Sequence, residues 1–201
     1  MEGIVDFLSE HGSLAFGPDK AAAQIEGSKV FTKKLCKKYD IPTAHAAFFN
    51  KSEYGDAVAY INSLNSEKFP YVIKADGLAA GKGVVIAKSK KELLEALNEF
   101  FIENIFGVSG EDIVIEDFIS GFEVSLLCLC DGDNLVPLDL AQDYKKIFDG
   151  DLGKNTGGMG SYSPLPFIDA ILYKKILDKI IFPTFNALKN EGIKYKGVLY
   201  G

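Results

Sequence analysis

The sequence predicts an α+β fold built largely from antiparallel strands. Helical and strand patterns are mixed along the chain, and several predicted strands follow one another with no helix between them. This order favours antiparallel pairing over a doubly wound parallel sheet. The 201 residues are 47% hydrophobic and 25% charged, which is the composition of an ordinary globular protein with room for a sizeable core. That composition excludes disordered, collagen-like and coiled-coil chains.

Apolar residues at helical spacing predict the helices of this fold. The predicted helices span residues 1–10, 20–39, 52–64, 89–104 and 170–190. Ser89 and Glu92 form a capping-box pattern at the start of the fourth helix. Ser52 is the predicted N-cap of the third. Pro183 is expected to bend or divide the last helix, because proline removes a backbone donor from the helix interior.

Short runs rich in β-branched and aromatic residues predict the strands. The predicted strands span residues 46–49, 69–75, 84–87, 113–119, 124–130, 134–140 and 196–201. A polar, glycine-bearing stretch at 144–163 predicts a long loop. The first helix has no earlier element to pack on, and the last strand has no following turn. We therefore expect the sequence to be a fragment or a trimmed form of a longer chain.

The sharpest local signal is the glycine-rich segment 74–83, with the sequence KADGLAAGKG. Its small residues allow backbone amides to approach a phosphate, and Lys74 and Lys82 supply positive charge. It is not a P-loop, because its first two glycines are one residue too close and Gly83 stands where that motif needs Ser or Thr. The segment joins two predicted strands, which favours a hairpin lid over a nucleotide. A plain hairpin with a solvated lysine is the alternative, against which Lys74 argues, since a lysine ending an apolar strand usually meets an anion.

The segment 113–123 has features of a purine site. The extended backbone after Glu116 can offer a carbonyl and an amide to the edge of an adenine, and Phe118 and Ile119 can wall the base. Glu123 can accept hydrogen bonds from ribose hydroxyls. The alternative is that Glu116 and Glu123 are ordinary edge-strand charges.

Charge and cysteine content restrict the partners and the compartment. The chain has 22 basic and 28 acidic residues, a net charge of −6, which excludes a nucleic-acid partner but leaves room for a small anionic ligand near local lysines. Three cysteines form no even-numbered disulfide framework, and no signal-peptide pattern begins the chain. No apolar run approaches the roughly 18 residues of a membrane span. We expect a reduced, cytoplasmic protein with no membrane contact.

The remaining polar candidates have ordinary structural interpretations. His11 and His45 are single and far apart, so half-buried or surface histidines are favoured over metal ligands. Cys128 and Cys130 share one strand face, and core cysteines are favoured over a zinc site. A lysine cluster on the second predicted helix favours a solvated face, with substrate steering as the alternative. Its members are Lys33, Lys34, Lys37 and Lys38.

Taken together, several blocks resemble the ATP-grasp superfamily and, within it, the phosphoribosylamine–glycine ligases. The blocks span residues 16–29, 74–83, 116–123, 142–145 and 155–164. The first and last are specific to that ligase family. The resemblance implies an ATP-grasp fold of two α+β lobes with the nucleotide between them, incomplete at the C-terminus.

The resemblance also implies a division of the chain. Residues 1–17 would be the tail of an amino-terminal substrate domain, and residues 18–201 would be the ATP-grasp domain. A small lobe would span about 46–112, and the remainder would be a truncated large lobe.

The activity implied by the resemblance is an ATP-dependent ligation in de novo purine biosynthesis. ATP activates the glycine carboxylate as glycyl phosphate, and the amine of 5-phosphoribosylamine attacks it, giving glycinamide ribonucleotide, ADP and phosphate. Such chemistry needs positioning and charge neutralisation rather than a protein nucleophile. Two alternatives stay open, namely another ATP-grasp carboxylate–amine ligase and a nucleotide-binding module without catalysis.

The resemblance assigns roles residue by residue. The implied ATP-binding residues are Lys29, Lys74, Gly77, Gly81, Lys82, Gly83, Glu116, Asp117, Phe118, Ile119 and Glu123. The implied residues for glycine and phosphoribosylamine are Asp143, Lys145, Asn155, Thr156, Gly157 and Gly158. Catalytic roles fall on Lys74, Lys82, Asp143 and Lys145. The residues themselves suggest that the amide-rich loop at 155–160 forms a phosphate nest or, equally, a plain surface loop.

Departures from the family pattern concern metal and activity. The family's ligands for Mg²⁺ or Mn²⁺ follow a strand like 197–201, so the resemblance implies ligands beyond Gly201 and none within this sequence. Tyr144 and Lys146 stand where the family has histidine and arginine, which keeps the charge of the second position. We expect a monomer with little ligase activity on its own.

Overall fold

A computed structural model describes residues 2–77, 83–150 and 152–200, except for the side chains of Lys154 and Asn155. Two compact units divide the chain. The first is Ala23–Ser120, and the second combines Glu2–Ala22 with Gly121–Gly201. The range 46–112, predicted as a small lobe, lies inside the first unit, and its assignment as a lobe stays a prediction.

The elements are numbered in chain order. The helices are α1 (Ile4–Glu10), α2 (Gln24–Gly27), α3 (Lys29–Lys38), α4 (Tyr54–Ser63), α5 (Lys90–Phe101), α6 (Ala170–Ile176) and α7 (Phe182–Asn190). The strands are β1 (Ala46–Asn50), β2 (Tyr71–Ala75), β3 (Val84–Ala87), β4 (Asp112–Asp117), β5 (Ser125–Asp131), β6 (Leu135–Asp143), β7 (Lys146–Phe148), β8 (Leu152–Asn155), β9 (Ser161–Tyr162) and β10 (Lys196–Tyr200). No helix in the described ranges is long and apolar enough to cross a membrane.

The first unit is an antiparallel sheet in the order β1-β4-β2-β3, with α4 and α5 packed on one face. Its core is fully apolar at the centre, where Ile73 and Ile115 of the sheet meet Phe100 and Phe101 of α5. Since β2 and β4 are the inner strands, their side chains on the other face stand over the middle of the sheet. That second face carries the cavity described below.

The second unit contains an antiparallel sheet in the order β10-β5-β6-β9 and a separate β7–β8 hairpin. Cys128 and Cys130 of β5 are buried and make no disulfide, as predicted for core cysteines. The long loop predicted at 144–163 is wrong in part, because it contains the strands β7, β8 and β9. Each of these strands has only two to four residues, too few to show an alternating pattern in the sequence.

The single helix predicted at 20–39 is wrong, because the chain breaks at Ser28. Ser28 has extended backbone angles (φ −128°, ψ 111°), and its hydroxyl accepts the Phe31 amide at 3.0 Å as the N-cap of α3. Serine favours this position because its side chain replaces the helix hydrogen bond that the first turn lacks. The apolar spacing of Phe31, Leu35 and Tyr39 lies entirely after the break, so it indicates α3 without fixing where that helix begins.

The predicted caps have mixed outcomes. Ser89 does cap α5 by accepting the Glu92 amide at 3.2 Å. Ser52 is not the cap of α4. Asn50 instead caps the 3₁₀ turn Lys51–Glu53 that leads into α4, in a capping box with Glu53, whose carboxylate accepts the Asn50 amide at 2.8 Å, and α4 itself begins without a side-chain cap.

The last predicted helix divides near Pro183, as expected. A π-helical segment, Leu177–Ile181, separates α6 from α7, and Pro183 stands in the first turn of α7. Proline lacks the backbone donor of a helix interior, so a widened turn before it accommodates the missing hydrogen bond.

Thiol reactivity tests this packing. Cys36, Cys128 and Cys130 are buried, and burial raises the pKa of each thiol, that of Cys128 to about 11. Because the thiolate is the reactive form, we expect negligible labelling by iodoacetamide at pH 8 in the native protein. In guanidinium chloride all three cysteines should react, as counted by mass spectrometry. Rapid native labelling of Cys128 would contradict the described core.

Candidate functional site

A cavity of about 410 Å³ opens on the second face of the first unit's sheet. Its floor is polar and its walls are mostly apolar, a combination typical of small-molecule sites. The lining residues are Lys33, Thr43, Ala44, Val72, Lys74, Val84, Ile86, Glu116, Asp117, Phe118 and Ile119. Five of the residues predicted to bind ATP therefore line one cavity.

A carboxylate between two lysines forms the floor. The Glu116 side chain is 6% exposed, Lys33 Nζ lies 2.7 Å from its Oε2, and Lys74 Nζ contacts its Oε1. Glu116 lies opposite Val72 in the β4–β2 register, and Val72 and Lys74 share a strand face, so strand alternation brings Lys74 to Glu116. Since β4 is an inner strand, the alternative of an edge-strand charge is wrong for Glu116.

Lys33 lines the cavity and is absent from the residues that the sequence predicts for the site. It was assigned to a solvated face, which holds for the exposed Lys34, Lys37 and Lys38. Lys33 instead turns inward and donates to Thr43 Oγ1 at 2.6 Å and to the Ala44 carbonyl at 3.2 Å. The available signal was its spacing of four residues from Lys29, which places both lysines on one face of α3.

The cluster carries a net positive charge. Lys33, Lys74 and Glu116 sum to +1 in a chain whose net charge is −6. Both lysine side chains are less than one-third exposed, so water screens the charges less than at an open surface. The floor of the cavity therefore suits an anion.

The walls are apolar yet accessible. Val84 and Ile86 of β3 are 44% and 50% exposed, and Phe118 and Ile119 after β4 are 42% and 68% exposed. Exposed apolar side chains gathered around a cavity, rather than scattered singly, mark a ligand surface. A flat heteroaromatic ring matches such walls.

The backbone beyond β4 is partly engaged. Asp117 has two backbone groups, and its amide donates to the His45 carbonyl at 3.0 Å. Of these two groups, only the carbonyl can therefore serve the predicted contact with the edge of an adenine. His45 contributes its main-chain carbonyl to the contact with the Asp117 amide.

The glycine-rich segment leaves β2 and returns in β3, and these two strands pair antiparallel with Lys74 opposite Val84. The predicted strand–segment–strand context is therefore confirmed. The Ala75 amide donates to the Gly83 carbonyl at 2.8 Å, and the Gly77 amide donates to the Ser109 carbonyl at 3.2 Å. Gly81, Lys82 and the lid predicted around them lie outside the described residues.

Lys29 makes contacts other than those the resemblance implies. Its Nζ donates to the carbonyl oxygens of Ala75, Asp76 and Gly77, at 2.8, 3.3 and 2.9 Å. Burial lowers the pKa of Lys29, with the charges of Asp76 and Glu116 opposing that shift and Lys74 adding to it.

In the second unit, residues predicted for different ligands contact each other. Lys145 Nζ donates to Glu123 Oε1 at 2.9 Å and lies 3.8 Å from Asp143 Oδ1. The hydrogen bond to Glu123 raises the pKa of Lys145, burial opposes the rise, and the carboxylate charges add to it. Glu123, assigned to ribose, is thus electrostatically linked to the groups assigned to the other substrates.

The loop after β8 forms hydrogen bonds with the backbone of Tyr144 and Lys145. Thr156 donates to the Lys145 carbonyl through its amide at 2.6 Å and its hydroxyl at 2.9 Å, and the Gly158 amide donates to the Thr156 hydroxyl at 3.1 Å. The Met159 amide donates to the Tyr144 carbonyl. Three amides of the predicted phosphate nest are therefore already used inside the protein. Gly157 is exposed, and Asn155 is described only by its backbone, which pairs with Lys146.

Comparison with known families identifies the fold. Residues 27–201 match the family model described as phosphoribosylglycinamide synthetase, ATP-grasp (A) domain. The chain belongs to this family. The α+β ATP-grasp fold predicted from the sequence is thereby confirmed.

Relatives and solved structures agree with this membership. Over 200 residues the ATP-grasp chain is 46% identical to phosphoribosylamine–glycine ligase from Listeria monocytogenes, covering 100% of this chain and 46% of the relative. The crystal structure of phosphoribosylamine–glycine ligase from Thermotoga maritima matches with a TM-score of 0.83 at 40% identity, over 98% of this chain and 49% of that one. The chain spans about half the length of the relatives it matches.

A more distant structure shows the fold alone. D-Alanine–D-alanine ligase from Bacillus anthracis, solved in complex with ATP, matches with a TM-score of 0.62 at 20% identity, over 98% of this chain and 57% of that one. The ATP-grasp architecture is therefore shared with ligases of other substrates.

The metal implied by the resemblance has no ligand set in the described part of the chain. No group of three or more His, Cys, Asp or Glu side chains there could hold a metal ion. The Glu116 carboxylate is already paired with two lysines, so it does not offer a metal site either.

Removing the Glu116 charge tests the floor of this ATP-grasp cavity. We expect Glu116→Gln to lower the free energy of unfolding by about 2–3 kcal/mol, because two partly buried ammonium groups lose their counter-ion. The measurement is urea unfolding, with Glu99→Gln at an exposed position of α5 as the matched control. Adding Lys33→Met should restore part of the loss, since the two residues interact directly. Equal stability of Glu116→Gln and the control would contradict the described pairing.

Proposed function

We propose that this chain is the ATP-binding part of an enzyme that joins glycine to 5-phosphoribosylamine. The observation that carries the proposal is the Lys33–Glu116–Lys74 cluster at the floor of an apolar-walled cavity, in a chain of the phosphoribosylglycinamide synthetase family. Relatives named phosphoribosylamine–glycine ligase at 46% and 40% identity support the choice of substrates.

In this proposal the adenine lies between the apolar walls. Val84 and Ile86 cover one side, and Phe118 and Ile119 the other. Adenine presents a donor and an acceptor along one edge, so recognition needs one carbonyl and one amide. The Asp117 carbonyl and the Ile119 amide supply them, because the Asp117 amide is engaged with His45.

The triphosphate binds to the lysines of the floor. Lys33 and Lys74 approach the phosphate oxygens, and Glu116 keeps the two ammonium groups in place before the nucleotide arrives. Such preorganised charge is most effective in a site that excludes water, since no reorganisation is needed during phosphoryl transfer. Gly77, Gly83 and the undescribed Gly81 and Lys82 stay predicted contacts of the phosphates.

The proposed reaction has two steps. A carboxylate oxygen of glycine attacks the γ-phosphorus of ATP, and the bond to the β,γ-bridging oxygen breaks, giving glycyl phosphate and ADP. The amine nitrogen of 5-phosphoribosylamine then attacks the acyl carbon, the bond to phosphate breaks, and the nitrogen gives up a proton. Neither step needs a covalent bond to the protein, so positioning and charge supply the catalysis.

The substrate side of the reaction rests on the second unit. Asp143 and Lys145, with Thr156 and the backbone of Gly157 and Gly158, are proposed to contact glycine and the phosphoribosyl group. The contacts that gather Asp143, Lys145 and Thr156 support this assignment. The Mg²⁺ or Mn²⁺ implied by the resemblance is assigned no ligand here, and no step is derived through it.

Replacing the floor lysines tests the nucleotide site. We expect Lys33→Met and Lys74→Met each to weaken ATP binding about 10- to 100-fold, because each removes a charge-assisted contact of about 1.5–3 kcal/mol. Calorimetry with the natural protein that carries this sequence gives the affinity. A coupled assay with glycine and 5-phosphoribosylamine gives ADP formation, which should fall at least as far.

Lys37→Met is the matched control, since Lys37 is exposed on the same helix. Unchanged ATP affinity in both floor variants would refute the phosphate site. ATP binding without ADP formation in the wild type would instead support the module without catalysis. ADP formation with another acid or amine, but not with glycine and phosphoribosylamine, would support another ATP-grasp ligase.

The ribose contact predicted for Glu123 has its own test. We expect Glu123→Ala to weaken ATP binding about 10-fold and to leave 2′,3′-dideoxy-ATP binding unchanged, since only ATP offers hydroxyl donors to the carboxylate. Lys145→Met should produce a smaller change of the same kind, because Lys145 pairs with Glu123 at 2.9 Å. Equal losses for both nucleotides would show that Glu123 does not contact the ribose.

A further inference from the structure

The connection between α3 and β1 contacts the site through three consecutive residues. The Thr43 hydroxyl accepts a hydrogen bond from Lys33 Nζ at 2.6 Å, and the Ala44 carbonyl accepts one at 3.2 Å. The His45 carbonyl accepts the Asp117 amide at 3.0 Å. Thr43 and Ala44 also line the cavity. A short segment without regular secondary structure therefore contacts both the floor of the cavity and the backbone at the end of β4.

The residues before Thr43 set the direction of this connection. Asp40 has a left-handed backbone (φ 53°), and the Ile41 amide donates to the Cys36 carbonyl at 2.8 Å, which is the hydrogen bond of a Schellman motif at the end of α3. Ile41 is 4% exposed, and the ring of Pro42 restricts its backbone angle φ. The path by which the chain leaves α3 is therefore defined before it reaches Thr43.

Three acceptors define the position of the Lys33 ammonium group. They are Glu116 Oε2 at 2.7 Å, the Thr43 hydroxyl at 2.6 Å and the Ala44 carbonyl at 3.2 Å. An ammonium group has three donors and ends a flexible four-carbon stem, so its location depends on the acceptors around it. The Glu116 carboxylate is shared with Lys74, and the Ala44 carbonyl is the most distant of the three. The Thr43 hydroxyl therefore makes the shortest of the contacts that hold Lys33 Nζ at the floor.

We propose that Thr43 is a positioning residue for the phosphate site and acts through Lys33. The inference rests on the proposed binding of ATP to this chain. By accepting from the ammonium group, Thr43 keeps the charge of Lys33 in place before the triphosphate binds, which lowers the cost of ordering that side chain on binding. The hydroxyl carries no charge of its own. Its contribution to ATP binding therefore depends on the presence of Lys33.

The chemistry of threonine allows its shape and its hydroxyl to be tested separately. Valine keeps the branched shape and loses the acceptor, whereas serine keeps the acceptor and loses the methyl group. Thr43 is exposed, so neither change removes a residue of the core. If the hydroxyl positions Lys33, serine should preserve ATP binding and valine should weaken it. If the shape of the side chain mattered instead, valine would be the better replacement.

The experiment measures ATP affinity by calorimetry in the natural protein that carries this sequence. We expect Thr43→Val to weaken ATP binding about 5- to 10-fold, because the ammonium group loses an acceptor but keeps its charge. Thr43→Ser should stay within about 2-fold of the wild type. Thr43→Ala should lose as much as Thr43→Val, and it keeps the test decisive where the valine variant does not fold. Thr184→Val in α7 is the matched control with unchanged ATP affinity, because its hydroxyl also takes part in a 2.6 Å hydrogen bond, to the Ile180 carbonyl.

A double-mutant cycle shows whether Thr43 acts through Lys33. In a protein that already carries Lys33→Met, Thr43→Val should weaken ATP binding by less than about 2-fold more, because the group that it positions is gone. The full loss on that background, an equal loss in Thr43→Ser, or wild-type affinity in Thr43→Val would overturn the proposal. Wild-type protein that binds no ATP would instead refute the proposed function itself.

Discussion

The pairing of one carboxylate with two lysines on an inner strand is the constraint on which the rest of the first unit depends. A carboxylate that is 6% exposed is costly to bury alone, and the fold must therefore deliver two cations to it. Lys74 arrives along the neighbouring strand, and Lys33 arrives from α3. An ionic contact therefore joins α3 to the second face of the sheet.

The contact with the Asp76 carboxylate explains why α3 begins directly after Ser28. A helix continuing unbroken from residue 20 would leave no free N-terminus at Ser28 to receive the Asp76 carboxylate. The serine ends the preceding turn, caps the new helix and donates to Asp76, so one residue serves both the local and the tertiary structure. One turn later the same face of α3 presents Lys33 to Glu116.

The sequence predicted those features whose physical cause lies within a few neighbouring residues. Ser89 and Glu92 are three positions apart, and the alternating apolar runs of β2 and β4 need no knowledge of the fold to be recognised. The break at Ser28 is supported by Asp76 far along the chain, and β9 pairs with the non-adjacent strand β6. Their patterns were overridden or invisible because tertiary hydrogen bonds outweigh weak local propensity.

The residues of the site likewise divide into those that the sequence predicted and those that it did not, and Lys29 and Lys33 show why. Both are lysines on one helix, and composition alone cannot tell which one faces a ligand. The fold decides which of the two lysines lines the cavity. Lys33 lines it and its Nζ contacts Glu116, Thr43 Oγ1 and the Ala44 carbonyl, whereas Lys29 Nζ contacts three main-chain carbonyl oxygens beside the glycine-rich segment. The phosphate contact that the resemblance assigns to Lys29 stays a prediction, and the position facing the cavity belongs to its neighbour one turn later.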